Sequence, residues 1–134
     1  MVAHARFCYP EEACGLIAFD SRGEMRMFYP LTNSEHSPVA YTVEPREHIK
    51  ALRHAERCGW HLGGVYHSHT RSPAYPSRTD VARAAEPEWA YLLVSLEEPE
   101  DPDVRAFWID GSGSVTEEPL VRTGMPTGEG VRRE

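Results

Sequence analysis

The sequence predicts one α+β (mixed α/β) domain. Three observations carry that expectation. A length of 134 residues suits a single substantial core. Short apolar runs bounded by turn signals recur along the chain, as strands do. Between them lie stretches with helix signatures, so hairpins mix with helices rather than forming a pure β or pure α pattern.

Taken in order, "MVAHARFCYPEE" reads as a short helix stopped near Tyr9-Pro10, because the residue before proline avoids helical torsions. Residues 13–20, "ACGLIAFD", form an apolar run ending in the turn signal "DSRG", hence a buried strand. "EMRMFYPLTN" is its expected hairpin partner, with Met25, Met27 and Tyr29 alternating against Arg26 and Phe28. "VAYTVE", residues 39–44, suggests a further strand. Pro45 suits the first turn of a helix, "PREHIKALRHAERCG", with Ile49, Leu52, His54 or Ala55, and Cys58 near one face.

"WHLGGVYHSH" reads as a strand entering a loop, and "SRTDVARAAE" as a short helix closed by Pro87. "WAYLLVSL" is the most apolar run and the expected central strand. "DVRAFWID" and "SVTEEPLVR" suit an antiparallel pair joined by "GSG". Residues 1–122 are therefore expected to form the domain. Residues 123–134, with little to bury, are expected to form a disordered tail.

Composition excludes several function classes. The net charge is −7 and no basic stripe is present, which argues against nucleic acid as partner. No run of 18 apolar residues exists, so no membrane span is expected. The N-terminus lacks an apolar signal core, which makes a cytoplasmic protein the default expectation. Three cysteines (Cys8, Cys14, Cys58) without a C-x-x-C pair suggest reduced thiols rather than a disulfide framework.

Chemistry concentrates in "VYHSHTRSPAYPSRTD", residues 65–80. Histidines at i and i+2 of an extended segment project to one side, so His67 and His69 can converge on one point. Asp80, in the first turn of the next helix, could add a hard oxygen. Two imidazoles and one carboxylate leave a fourth position open to water, the catalytic rather than the structural pattern for zinc. Each half also has a bland reading. H-x-H alone fits structural histidines, and Ser77-x-x-Asp80 alone fits a helix capping box. A catalytic site further needs a carboxylate base, for which Glu11 and Glu12 stand before a buried strand. Two acids at a strand entrance are usually just solvated.

His67-Ser68-His69, seven residues, Ser77, two residues and Asp80 together resemble the H-x-H-x7-S-x2-D motif of the JAMM (MPN-plus) metalloproteases. "EACGLI" resembles that family's E-x-x-G-L segment, and the likeness runs from about Met1 to Pro119. The resemblance implies a curved, mostly antiparallel sheet flanked by helices, similar to cytidine deaminases. It implies one Zn2+ per chain on His67, His69 and Asp80, with a catalytic water. Glu12 would be general base and then acid, and Ser77 an oxyanion donor. The implied substrate is a ubiquitin-like sulfur carrier protein, cut beyond its C-terminal Gly-Gly. The chain is similar to the compact bacterial branch, and within it to actinobacterial hydrolases that release cysteine from the carrier CysO. Related enzymes trim extra C-terminal residues instead.

The family usually begins with a strand before the first helix, whereas this sequence starts within that helix, so either the native chain starts further upstream or this member lacks the strand. Its absence would expose a sheet edge that invites pairing, a homodimer being one outcome. A non-catalytic MPN-type scaffold is the alternative, and the intact motif set argues against it. A zinc deaminase would need H-x-E with P-C-x-x-C, and the latter is absent.

Overall fold

The computed structural model describes residues 1–120, so the expected tail at 123–134 lies outside the described residues. Its elements are α1 (Val2–Cys8), β1 (Cys14–Phe19), β2 (Met25–Leu31), α2 (Pro45–Arg57), β3 (His61–His69), α3 (Arg78–Arg83), β4 (Ala90–Ser95), β5 (Asp103–Ile109) and β6 (Val115–Glu118). Six strands make one sheet in the order β2-β1-β3-β4-β5-β6. Every neighbouring pair is antiparallel except β3 with β4, which are parallel and central. A parallel pair needs a crossover, and the segment carrying α3 provides it.

Alternation along the strands builds a core on each face of the sheet. Leu16, Ala18, Val65, Tyr91 and Leu93 pack on the face covered by α2. Ile17, Phe19, Tyr66, Leu92 and Val94 pack on the opposite face with Ala5 of α1. The central strands β1 and β4 are buried at every position, as expected for strands covered on both sides. His67 and His69 share the parity of Val65, so they extend the α2 face beyond the apolar core.

Two expectations change. "VAYTVE" is not a strand: its only bridge among the described residues joins Val43 to Asn33. The segment instead wraps the Asn33 side chain and ends in a helix cap. Glu44 accepts from the Glu47 N–H, with Pro45 in the first turn. The buried face of α2 also differs. Ala51 and Ala55 meet the sheet, Ile49 and Leu52 stay largely exposed, and Cys58 is an exposed C-cap. Small side chains spaced i, i+4 let the helix backbone sit close to the sheet, which turns the larger pair outward. No helix among the described residues is long and apolar enough to cross a membrane.

Gly15 sits on β1 where β2 leaves no room for a side chain. An added Cβ would run into the Tyr29 carbonyl oxygen and come within 2.7 Å of the Phe28 ring. Because backbone is the obstacle, little can relax. Gly15→Ala is expected to destabilise the fold by about 3 kcal/mol in denaturant titrations followed by circular dichroism.

Candidate active site

Three chain segments meet at the end of β3. The first is the entrance to β1, where Glu12 is 5% exposed. Its backbone is held at both ends, with the Glu12 N–H donating to Ser37 O (2.8 Å) and Asn33 Nδ2 donating to Glu12 O (3.0 Å). Asn33 also donates to Ala40 O (2.9 Å), and its Oδ1 accepts from the N–H groups of Glu35 (3.0 Å) and Thr42 (3.1 Å). One buried amide therefore organises the whole 33–42 loop.

The second segment is the end of β3, where His67 and His69 are 2% and 4% exposed. The third is the start of α3. There Ser77 Oγ accepts from Asp80 N (3.1 Å), while Asp80 Oδ2 accepts from Ser77 N (2.8 Å), a reciprocal capping box. The same Asp80 oxygen lies 3.1 Å from His67 Nε2 and 3.0 Å from His69 Nε2, and the two Nε2 atoms are 3.3 Å apart.

Those three donor atoms suit a metal ion. A tetrahedral ion with bonds of about 2.0–2.1 Å has ligand–ligand edges of about 3.3 Å, close to the separations above. One imidazole nitrogen of each pair is already accounted for differently. His69 Nδ1 lies 2.8 Å from Pro73 O, which can only accept, so a proton sits on Nδ1 and Nε2 is the atom that would bind an ion on giving up its own proton to Asp80. His67 Nδ1 is buried with no hydrogen-bond partner among the described residues. Its ring is held instead by stacking on Tyr41, with centroids 4.4 Å apart and planes at 21°.

Electrostatics separate the two carboxyls and the two imidazoles. Burial opposes ionisation of Asp80, but hydrogen bonds to His67 and His69 hold it far below the usual carboxylate range. Burial pushes His67 below an ordinary imidazole despite Asp80. Burial pulls on His69 too, yet bonding to Asp80 and the Pro73 carbonyl raises it. Glu12 goes the other way: burial lifts it to about 7, with His69 opposing and Asp80 and Glu35 adding. Its Oε1 is buried and unpartnered. Glu12, His69 and Ser77 line a common cleft of about 630 Å³.

The structure thus brings all five expected residues, Glu12, His67, His69, Ser77 and Asp80, to one place. Glu11 turns outward to an exposed pairing with His36 at 3.0 Å. Sequence reasoning missed Asn33 as a brace, Tyr41 as the partner of His67, and Ser68, whose Oγ accepts from Ala13 N at 2.8 Å. Ser68 was legible as the middle of H-x-H only in hindsight. Tyr41 was hidden inside a segment read as a strand.

Comparison with known proteins agrees with this geometry. Residues 1–110 match the family described as prokaryotic homologs of the JAB domain. The chain is 43% identical over 121 residues to a CysO-cysteine peptidase of Mycobacterium tuberculosis (strain ATCC 25618 / H37Rv), covering 90% of this chain and 82% of that protein. It is 39% identical over 88 residues to a desampylase of Haloferax volcanii, covering 64% and 63%. Among solved structures, protein DSY2949 from Desulfitobacterium hafniense superposes with a TM-score of 0.82 at 39% identity, covering 90% of this chain and 84% of that one.

Two outcomes follow from the site's physics. Tyr41→Ala should lower metal affinity about tenfold, whereas Tyr41→Phe, which keeps the stack, should hold it, as read by competition against a chromophoric chelator. The second concerns the metal-free protein. Glu12 has a folded pKa of about 7 against 4.5 for the free side chain. Well below the lower value it is protonated folded and unfolded alike, and costs nothing. As pH rises towards the upper value the unfolded chain ionises first, so stability falls, and above it the full penalty applies. Glu12→Gln removes the penalty. Chelator-treated E12Q should match the parent about one pH unit below 4.5 and exceed it by about 2 kcal/mol above pH 7 in urea titrations.

Proposed function

The chain belongs to the prokaryotic JAB (JAMM) family of hydrolases, and on that premise we propose that it is a zinc peptidase acting on a ubiquitin-like sulfur carrier protein. It cuts the amide bond after the carrier's C-terminal Gly-Gly, releasing cysteine or trimming further residues. The name of the mycobacterial relative, CysO-cysteine peptidase, supports that substrate.

His67, His69 and Asp80 would hold the zinc. When bound, zinc supplies a water acidic enough to act as nucleophile at neutral pH and polarises the scissile carbonyl. Glu12 takes one proton from the attacking water as its oxygen bonds the carbonyl carbon. The same carboxyl then gives that proton to the departing nitrogen as the C–N bond breaks, leaving a carrier carboxylate and a free amine. Burial, which disfavours the ionised form of Glu12, favours uptake of the proton that it must later give away. Ser77 Oγ already accepts from the Asp80 N–H, so its own hydrogen is free to donate to the carbonyl oxygen as negative charge develops there. Ser77 is exposed at the cleft wall, where an extended chain can reach it.

The observation that carries this reading is Glu12. A buried carboxyl with an unpartnered oxygen, in one cleft with His69 and Ser77, has no structural use that a glutamine or a methyl group would not serve better. The test is a carrier ending Gly-Gly-Cys, incubated with zinc-loaded protein and followed by intact mass. Loss of one cysteine is expected. Glu12→Ala should lower the rate roughly 10³-fold while retaining about one zinc per chain by atomic emission. A protein that cleaves no Gly-Gly carrier bearing an extra residue does not have this function. Loss of zinc along with the rate would make Glu12 part of the metal shell instead.

A further inference from the structure

We propose that Arg71 reads the free α-carboxylate of the residue that is cut off, which makes the enzyme a remover of C-terminal amino acids rather than of branched conjugates; this rests on the hydrolysis proposed above. The leaving group's place is set by the acid that must protonate it. A general acid has to touch the departing nitrogen, so the leaving group enters the cleft that Glu12 lines, beside the Ser77 hydroxyl that faces the carbonyl. A separate groove, lined by Tyr41, Thr42, Asp80 and Arg83, is left for the chain on the acyl side.

Within the leaving-group cleft the charges are of two kinds. His36 is tied to Glu11 at 3.0 Å. Arg71, two residues beyond His69, also lines the cleft, and its guanidinium makes no hydrogen bond or ion pair with any described residue. The arginine of the separate groove differs, since Arg83 donates to Glu35 (2.7 Å) and to Tyr41 O (3.2 Å). In a chain with 21 acidic and 14 basic residues, a guanidinium without a carboxylate beside an active site is a recognition group in waiting.

Its backbone is not loose. Thr70 Oγ1 donates to Pro38 O at 3.2 Å, and Ser95 Oγ donates to Ser72 O at 2.6 Å. Both neighbours of Arg71 are therefore pinned, one to the 33–42 loop and one to β4, while the head group stays free. A fixed base with a free planar fork suits bidentate capture of a carboxylate.

Substrate chemistry supplies the carboxylate. When the leaving group is a single amino acid, its carboxylate carbon is two bonds from the departing nitrogen. That puts the negative charge in the same cleft as Glu12. A leaving lysine side chain brings no carboxylate there.

The experiment compares two versions of one substrate, a carrier ending Gly-Gly-Cys with a free C-terminal carboxylate and the same carrier with a C-terminal carboxamide. Zinc-loaded wild-type protein should prefer the acid by about tenfold or more in kcat/KM, the usual worth of one charge-assisted contact. Arg71→Gln should bring that ratio to about one, and Arg71→Lys should keep part of it. Equal rates on both substrates in the wild type, or an unchanged preference in R71Q, overturn the role of Arg71 and leave the hydrolysis standing. Cleavage of neither substrate by the wild type overturns both.

Discussion

The clasp between Ala13 and Ser68 is the contact on which the site depends. Ser68 N donates to Ala13 O at 3.0 Å, and Ala13 N donates to Ser68 Oγ at 2.8 Å. A side chain replaces the backbone carbonyl at the last rung of the β1–β3 ladder, just beyond the Cys14–His67 pair. Residues 55 apart in sequence are thereby set in register where Glu12 leaves one strand and His69 ends the other. A slip of one residue would turn both histidines onto the α1 face and take them out of the cleft. The irregularity in this ladder falls between Ile17 and Ala18, towards the other end, so the bend it introduces leaves the site rungs paired.

From that register the electrostatic division of labour follows. Asp80 and Glu12 are both largely removed from water, yet their proton affinities move in opposite directions. Asp80 Oδ2 faces two imidazole nitrogens and a backbone N–H, which stabilise its charge. Glu12 has hydrogen bonds to its backbone and none to Oε1, so burial acts on its carboxyl with little to offset it. The capping box contributes twice: it starts α3, and it aims Asp80 at the histidines while exposing the Ser77 hydroxyl. Capping and metal-binding readings of Ser77-x-x-Asp80 are therefore one arrangement rather than rivals.

Local features were the legible ones. The i, i+2 histidines, the capping signature and the apolar runs of β1 and β4 depend on neighbours in sequence, and each stands where the pattern put it. Glu12 over Glu11 was decided in the sequence only by family resemblance, because the difference between them is burial produced by long-range packing. The same holds for the segment at 39–44. Its alternation suits a strand, but the buried Asn33 amide captures the backbone groups at Glu12, Ala40 and Thr42 that a ladder would have used. For α2, periodicity favoured the large apolar side chains, whereas close packing against the sheet selected Ala51 and Ala55. Arg71 gave no sequence signal, since an exposed arginine in a loop has meaning only through what else lines its cleft.

These same features explain why the site is built on the most heavily buried part of the sheet. An unpartnered carboxyl oxygen and an unpartnered imidazole nitrogen, both out of water, each oppose folding by about 1–3 kcal/mol. Loops could not hold such groups, because they would open until water reached them. Here Glu12 precedes a strand buried along its whole length, and His67 sits in one buried from Leu62 to His69. Moving either group far would mean disturbing the β1–β3 pairing, with apolar cores on both faces resisting. The two-faced core thus holds a carboxyl oxygen of Glu12 and the Nδ1 atom of His67 out of water, while His67 Nε2 faces Asp80.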